Sequence, residues 1–253
     1  MFKLPAAVRE ECVAMSPVIA ILGAGTGLGV SLAHRFGREG FRVALVARRP
    51  GRLEKLVRSL ASNGVEAAAF PADLADPAGI PALVARVHER FGRIDVLEYS
   101  PAPMTAMPRP ATELTADRLG ELLNLFTLTP VAIARAVLPA MTAHGDGAIL
   151  VTHGLTAARP IPGMSGVGPA MAATRNYLYS LHGEVAPLGV YVGTLTVGSV
   201  IAGSEGHDHF ESASLPPGIT VVDPDRLADV YWRMYRNRDR VEEFWPPLSG
   251  SGH

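Results

Sequence analysis

The run Val18 to Gly29, VIAILGAGTGLG, constrains this chain more than any other segment. Five apolar residues in unbroken succession, rich in β-branched side chains, describe a strand covered on both faces, which requires helices on either side of a parallel sheet. Helical spacing follows at once, over Leu28 to Arg38. Glycines between such a strand and its helix permit a tight turn, let the backbone approach a pyrophosphate, and leave helix N–H groups aimed at it. The sequence therefore predicts a nucleotide-binding loop made by Gly23, Gly25, Thr26, Gly27, Leu28 and Gly29.

The same alternation continues downstream. Strand-like runs cover Arg42 to Ala47, Val65 to Pro71, Ile94 to Tyr99, Ala148 to His153 and Val190 to Val197. Helical patterns cover Arg52 to Ser62, Pro77 to Phe91, Thr115 to about Ala143 with Pro130 inside it, Gly166 to Pro187, and Asp225 to Arg238. Strands alternating with helices make βαβ units. The expected fold class is α/β, a single Rossmann-type doubly wound parallel sheet with helices on both faces, spanning 18–253 after a flexible leader over 1–17. The Gly/Ser/His-rich stretch from Gly198, to about residue 222, is expected to form a lid loop.

Charge and composition narrow the partners. A net charge of −1 and scattered arginines offer no basic field, so nucleic acid is not expected. No uninterrupted apolar run reaches the ~18 residues that span a bilayer, and no membrane partner is expected. The single cysteine, Cys12, has no internal disulfide partner, which suits a reducing compartment and a cytoplasmic location.

The second strand ends Ala47-Arg48-Arg49, without the acidic residue that would hold a ribose 2′-OH. Arg48, and Arg49 beside it, can instead pair with a 2′-phosphate through the guanidinium fork, so NADP(H) is favoured over NAD(H). Two solvated loop arginines are the alternative.

With these motifs in order, the chain resembles the short-chain dehydrogenase/reductase family from about residue 18 to 238. The resemblance rests on the Gly23/Gly27/Gly29 spacing, Asp73-Leu74 after the third strand, Ile94-Asp95-Val96-Leu97 entering the fourth, Asn124 to Met141, and His182 to Val190. It implies an oxidoreductase, an adenine contact at Asp73 and Leu74, and further cofactor contacts at Ser100, Pro101 and Val200. It also implies a homodimer or homotetramer, a small-molecule ligand, and Asn124 at the family's catalytic asparagine. A buried asparagine supporting a helix kink near Pro130 is the other reading of Asn124.

The family's serine, tyrosine and lysine fall by the same resemblance on Gly154, Val167 and Met171. The tyrosine and lysine are one helical turn apart so that both meet the cofactor. No lysine follows Lys55, so a shifted alignment cannot recover one. Tyr177 and Tyr179 have no lysine partner and are expected to pack in the core or an interface.

Loss of a positioned acid typically costs ~10² to 10⁴ in rate, so a reductase would need a substitute. His153 is the first candidate, at the C-terminal end of its strand; Glu98 and Tyr99 are others. Arg175, one turn beyond Met171, is expected in solvent or an interface. His207-Asp208-His209 lacks a third metal ligand, and no metal is expected. Val167, Met171 and Met164 suggest an apolar pocket. Three functions remain open: an NADP(H)-dependent oxidoreductase with a non-standard site, a non-redox cyclase or isomerase on the same scaffold, and a non-catalytic NADP(H)-binding protein.

Overall fold

The computed structural model describes residues 16–103, 108–211 and 219–247. All but the last two residues of the expected leader, Cys12 included, and positions 212–218 of the expected lid lie outside the described residues.

The elements alternate as the periodicity demands: β1 Val18–Leu22, α1 Leu28–Arg38, β2 Arg42–Ala47, α2 Pro50–Ser62, β3 Ala67–Pro71, α3 Ile80–Phe91, β4 Val96–Tyr99, α4 Ala116–Leu123, α5 Thr129–His144, β5 Gly147–Gly154, α6 Val167–Val185 and β6 Val190–Val197. Then come β7 Val200–Ile201, α7 Glu205–Glu211, β8 Val221–Val222, α8 Pro224–Asn237 and β9 Glu242–Trp245. Seven strands form one sheet in the order β3-β2-β1-β4-β5-β6-β9, every neighbouring pair parallel. Chain direction through the sheet reverses between β1 and β4, and that switch point opens a crevice at the strands' C-terminal ends.

The continuous apolar strands are covered twice, as expected. One core lies between the sheet and α3, α5 and α6, and includes Phe91, Leu97, Val137 and Leu178. The other lies under α1, α2 and α8, and includes Phe36, Leu45, Leu60 and Tyr231. Trp232 and Tyr235 pack on this body, their rings 5.2 and 5.9 Å from that of Phe36. Asp95, just before β4, accepts the Val18 amide at 2.7 Å and fixes where β1 begins.

Three features depart from the sequence expectation. The helical stretch Ala116–His144 contains a π turn, Asn124–Leu128, where α4 meets α5. Pro130 has no N–H to give the carbonyl four residues back, and the Thr174 hydroxyl donates to that Phe126 carbonyl instead. The neighbouring Leu125 carbonyl accepts from Tyr99. By length and mean hydropathy (1.5) this stretch could cross a membrane, and 44% of its apolar window is buried in the fold. Second, the segment after β6 is not loop throughout: β7 pairs with β8, and α7 follows. Third, a seventh strand that the pattern did not predict, β9 with Phe244 and Trp245, lies at the sheet edge beside β6. Four residues are too few for a pattern of period two to stand out.

Candidate functional site

A cavity of about 630 Å³ opens at the switch point. Its floor is the loop after β1. Gly23 has φ +105°, and a Cβ there would lie 2.7 Å from the Ser100 and Pro101 backbone, so the loop and the β4 exit touch main chain to main chain. A Cβ on Gly29 would lie 2.7 Å from Ala24 Cα, so the first turn of α1 packs directly on the loop. These close approaches leave α1's first amides facing the cavity, the arrangement that suits a pyrophosphate.

The structure brings together on this cavity every residue expected to bind cofactor: Gly23, Gly25, Thr26, Gly27, Leu28 and Gly29 on the floor, Arg48 and Arg49 at the β2 end, Asp73 and Leu74 after β3, Ser100 and Pro101 after β4, and Val200 after β6. Arg52 joins them, and the sequence reading missed it. Its spacing of three from Arg49 at the start of α2 was the available signal, since such residues share a helix face.

At the other end lie the positions matched to serine, tyrosine and lysine. Met171 Sδ is 3.3 Å from the Gly154 amide nitrogen, and Val167 lines the same wall. The three positions therefore converge, as the resemblance implies, but they present a bare glycine, a branched hydrocarbon and a thioether. Leu122, Leu125, Phe126 and Val197 extend the wall, while Met164, expected there, does not line it. Thr127 Oγ1 donates to the Ala170 carbonyl at 2.8 Å and fixes the π turn against α6.

Asn124 is not brought to this wall. It is exposed and does not line the cavity, whereas Phe126 does. The wider π turn turns Leu125 and Phe126 inward, so the expectations of a catalytic or a kink-supporting buried asparagine both give way to a surface residue.

His153 lines the cavity but is almost completely buried. Its Nδ1 is 2.8 Å from Thr194 Oγ1, whose own proton goes to the Val151 carbonyl at 2.9 Å. Nδ1 must then carry the proton, which leaves Nε2 bare and without a hydrogen-bond partner. Burial, with Arg175 nearby and against the pull of Glu242, lowers its pKa to about 4. A ring held neutral at pH 7 has no imidazolium proton to deliver.

Glu98 is fully buried in β4 on the opposite face of the sheet. Ser100 Oγ donates to one carboxyl oxygen and Thr152 Oγ1 to the other, both at 3.0 Å, and Thr152 is 2.7 Å from the hydroxyl of Tyr231. Burial outweighs these hydrogen bonds and pushes the carboxyl up to about 8. Ser100 and Thr152 line the cavity, so this carboxyl lies one hydroxyl behind it. Tyr99, the other strand-end candidate, is held by its bond to the Leu125 carbonyl, and burial raises its pKa well above the usual value.

Arg175, its side chain 31% exposed, grips Glu242 of β9 with its guanidinium, Nε lying 2.9 and 3.0 Å from the two carboxylate oxygens. The Tyr179 hydroxyl donates to Glu242 at 2.7 Å, and Thr196 donates at 2.6 Å. Tyr177 packs against the core. Among the described residues no group of three or more His, Cys, Asp or Glu side chains could hold a metal, and His207, Asp208 and His209 lie on α7.

Comparison with known proteins adds four findings. The short chain dehydrogenase family profile matches residues 17–207. A dehydrogenase/reductase SDR family protein 7-like of Drosophila melanogaster is 32% identical over 187 residues, 72% of this chain and 57% of that protein, so the chain spans little more than half of this relative's length. Sulfoacetaldehyde reductase of Chromohalobacter salexigens is 29% identical over 222 residues, 85% of this chain and 86% of the relative. Among solved structures, a short-chain dehydrogenase from Sphingobium yanoikuyae in complex with NADPH superposes with a TM-score of 0.78 at 30% identity, covering 92% of this chain and 88% of that one.

Proposed function

From the premise that this chain belongs to the short-chain dehydrogenase/reductase family, an oxidoreductase family, we propose that it binds NADP(H) in preference to NAD(H) and works with a non-standard active site. The observation that carries this reading is the asymmetry of the cavity. Its glycine and arginine end fits a phosphorylated dinucleotide, and its far wall of Gly154, Val167 and Met171 offers no acid. The NADPH-bound neighbour supports binding of a nicotinamide dinucleotide, and the absence of an acidic side chain at Arg48 and Arg49 supports the phosphorylated form.

A nicotinamide dinucleotide held here supplies or accepts a hydride. The chain's own groups divide the remaining work. The glycine loop and α1 receive the pyrophosphate, and Arg48, Arg49 and Arg52 face the ribose phosphate. Leu125, Phe126, Val167 and Met171 exclude water and favour an apolar small molecule. No side chain of that wall moves a proton to a carbonyl oxygen, so the fitting substrate is one whose reduction needs no positioned acid, such as an activated double bond, where hydride addition would leave a resonance-stabilised enolate that takes its proton from solvent on release.

Calorimetric titration with NADPH and NADH tests the cofactor. NADPH is expected to bind more tightly, and Arg49→Ala/Arg52→Ala to weaken NADPH about 10- to 100-fold while changing NADH about twofold or less. Equal loss for both dinucleotides would refute the phosphate role. Loss of absorbance at 340 nm across a panel of carbonyls and enones tests the chemistry, with turnover expected for enones. Tight binding without turnover anywhere in the panel would favour a binding protein. Product formation at constant absorbance would favour a cyclase or isomerase, readings that the apolar wall also accommodates.

A further inference from the structure

The arginines at the ribose end of the cavity already hold an anion from within the chain. Glu205, the first residue of α7, places one carboxylate oxygen 2.6 Å from Arg49 Nη1 and 2.5 Å from Arg52 Nη1. Glu205 is 156 and 153 positions from Arg49 and Arg52 in sequence, and all three line the same cavity. The preceding turn is docked on the glycine loop: Thr26 Oγ1 donates to the Gly203 carbonyl at 2.6 Å, and a Cβ on Gly27 would lie 3.2 Å from Ser204 Cβ. Glu205 is therefore delivered to the arginines by a seated segment. Burial opposes its charge, yet the bonds and charges of Arg52 and Arg49 hold the carboxyl below its ordinary pKa.

We propose that Glu205 is an internal competitor for the ribose 2′-phosphate, a carboxylate that occupies the anion position between Arg49 and Arg52 and is exchanged for a phosphate monoester when a phosphorylated dinucleotide binds. The inference rests on the NADP(H) reading and deepens it, because it makes Glu205 a specificity-determining residue. A dinucleotide without the 2′-phosphate leaves the bridge intact and meets no competition. A phosphorylated one must break two ion pairs, and the released carboxylate stays beside the new dianion, where like charges repel. The bridge thus lowers the affinity gap between the two forms below what two arginines alone would create.

The test uses fragments that differ only in the 2′-phosphate. Adenosine 2′,5′-bisphosphate and adenosine 5′-monophosphate are titrated calorimetrically into the wild type, Glu205→Gln, and Arg49→Ala/Arg52→Ala. Glu205→Gln is expected to tighten the 2′,5′-bisphosphate about three- to tenfold and to leave the 5′-monophosphate within about twofold, since exposed ion pairs are individually modest. The gain should shrink as salt is raised. If the wild type prefers the 2′,5′-bisphosphate, the double arginine variant abolishes the preference, and Glu205→Gln equals the wild type, the competitor role is overturned and the NADP(H) reading stands. Equal tightening of both fragments, or weaker binding of the 2′,5′-bisphosphate, also overturns it. If neither the wild type nor Glu205→Gln prefers the 2′,5′-bisphosphate, both readings fall together.

Discussion

Glu98→Gln is expected to remove most of the fall in folding stability that the wild type shows between about pH 5 and pH 8. The Glu98 carboxyl is fully buried, and no cation stands among the influences on its ionisation, so loss of its proton would strand a charge away from water. Burial raises its pKa from 4.5 in the unfolded chain to about 8, against the hydroxyls of Ser100 and Thr152. Between those values the folded state holds a proton that the unfolded state has released. Stability is therefore fully present below pH 4.5 and is lost as pH rises towards 8, at up to about 1.4 kcal/mol per unit and on the order of 5 kcal/mol across the interval.

A glutamine keeps the shape, offers an N–H and a carbonyl to the same two hydroxyls, and does not titrate. Urea unfolding of both proteins at pH 5, 6, 7 and 8 gives the difference directly, with the histidines common to both. Parallel profiles would mean that Glu98 is ionised in the folded state. Ser100 and Thr152, the two residues whose hydroxyls bond Glu98, also line the cavity.

Gly23→Ala is expected to destabilise the fold by on the order of 3 kcal/mol and to abolish dinucleotide binding. Two costs combine. At φ +105° an alanine is strained, and its Cβ would meet the Ser100 and Pro101 backbone at 2.7 Å. Neither side can give way cheaply: the Gly23 amide is bonded to the Val46 carbonyl, and the Ser100 amide to the Leu22 carbonyl, each at 2.9 Å. Gly25→Ala is the control, since its Cβ has only the Gly23 carbonyl, at 3.7 Å, for a neighbour. It should unfold within about 1 kcal/mol of the wild type. Wild-type stability in Gly23→Ala, read by urea unfolding beside NADPH titration, would show that the loop is not held as described.

The limits of α1, β2 and β6, the parallel sheet and the nucleotide loop were all legible in the chain, because each follows from periodicity or from glycines within a dozen residues. So was the want of a lysine beyond position 55, which needs only a count. The catalytic-end residues were harder. Asn124 and Phe126 differ by two positions, and which of them faces inward depends on a π turn stabilised by Thr174 and Tyr99, residues about 50 and 25 positions away. Glu98 stands among apolar neighbours in β4, and only the closing of α8 over that face decides that it is sealed from water.

Sequence alone thus determined the architecture and the glycine-loop end of the cavity, since those depend on local backbone geometry and on alternation along the chain. Tertiary structure alone decided the rest: that Arg52 and Glu205 meet, that His153 and Glu98 are sealed from water, and that β9 completes the sheet. Charge state and pairing depend on burial and on distance through space, and neither quantity is written in the order of residues.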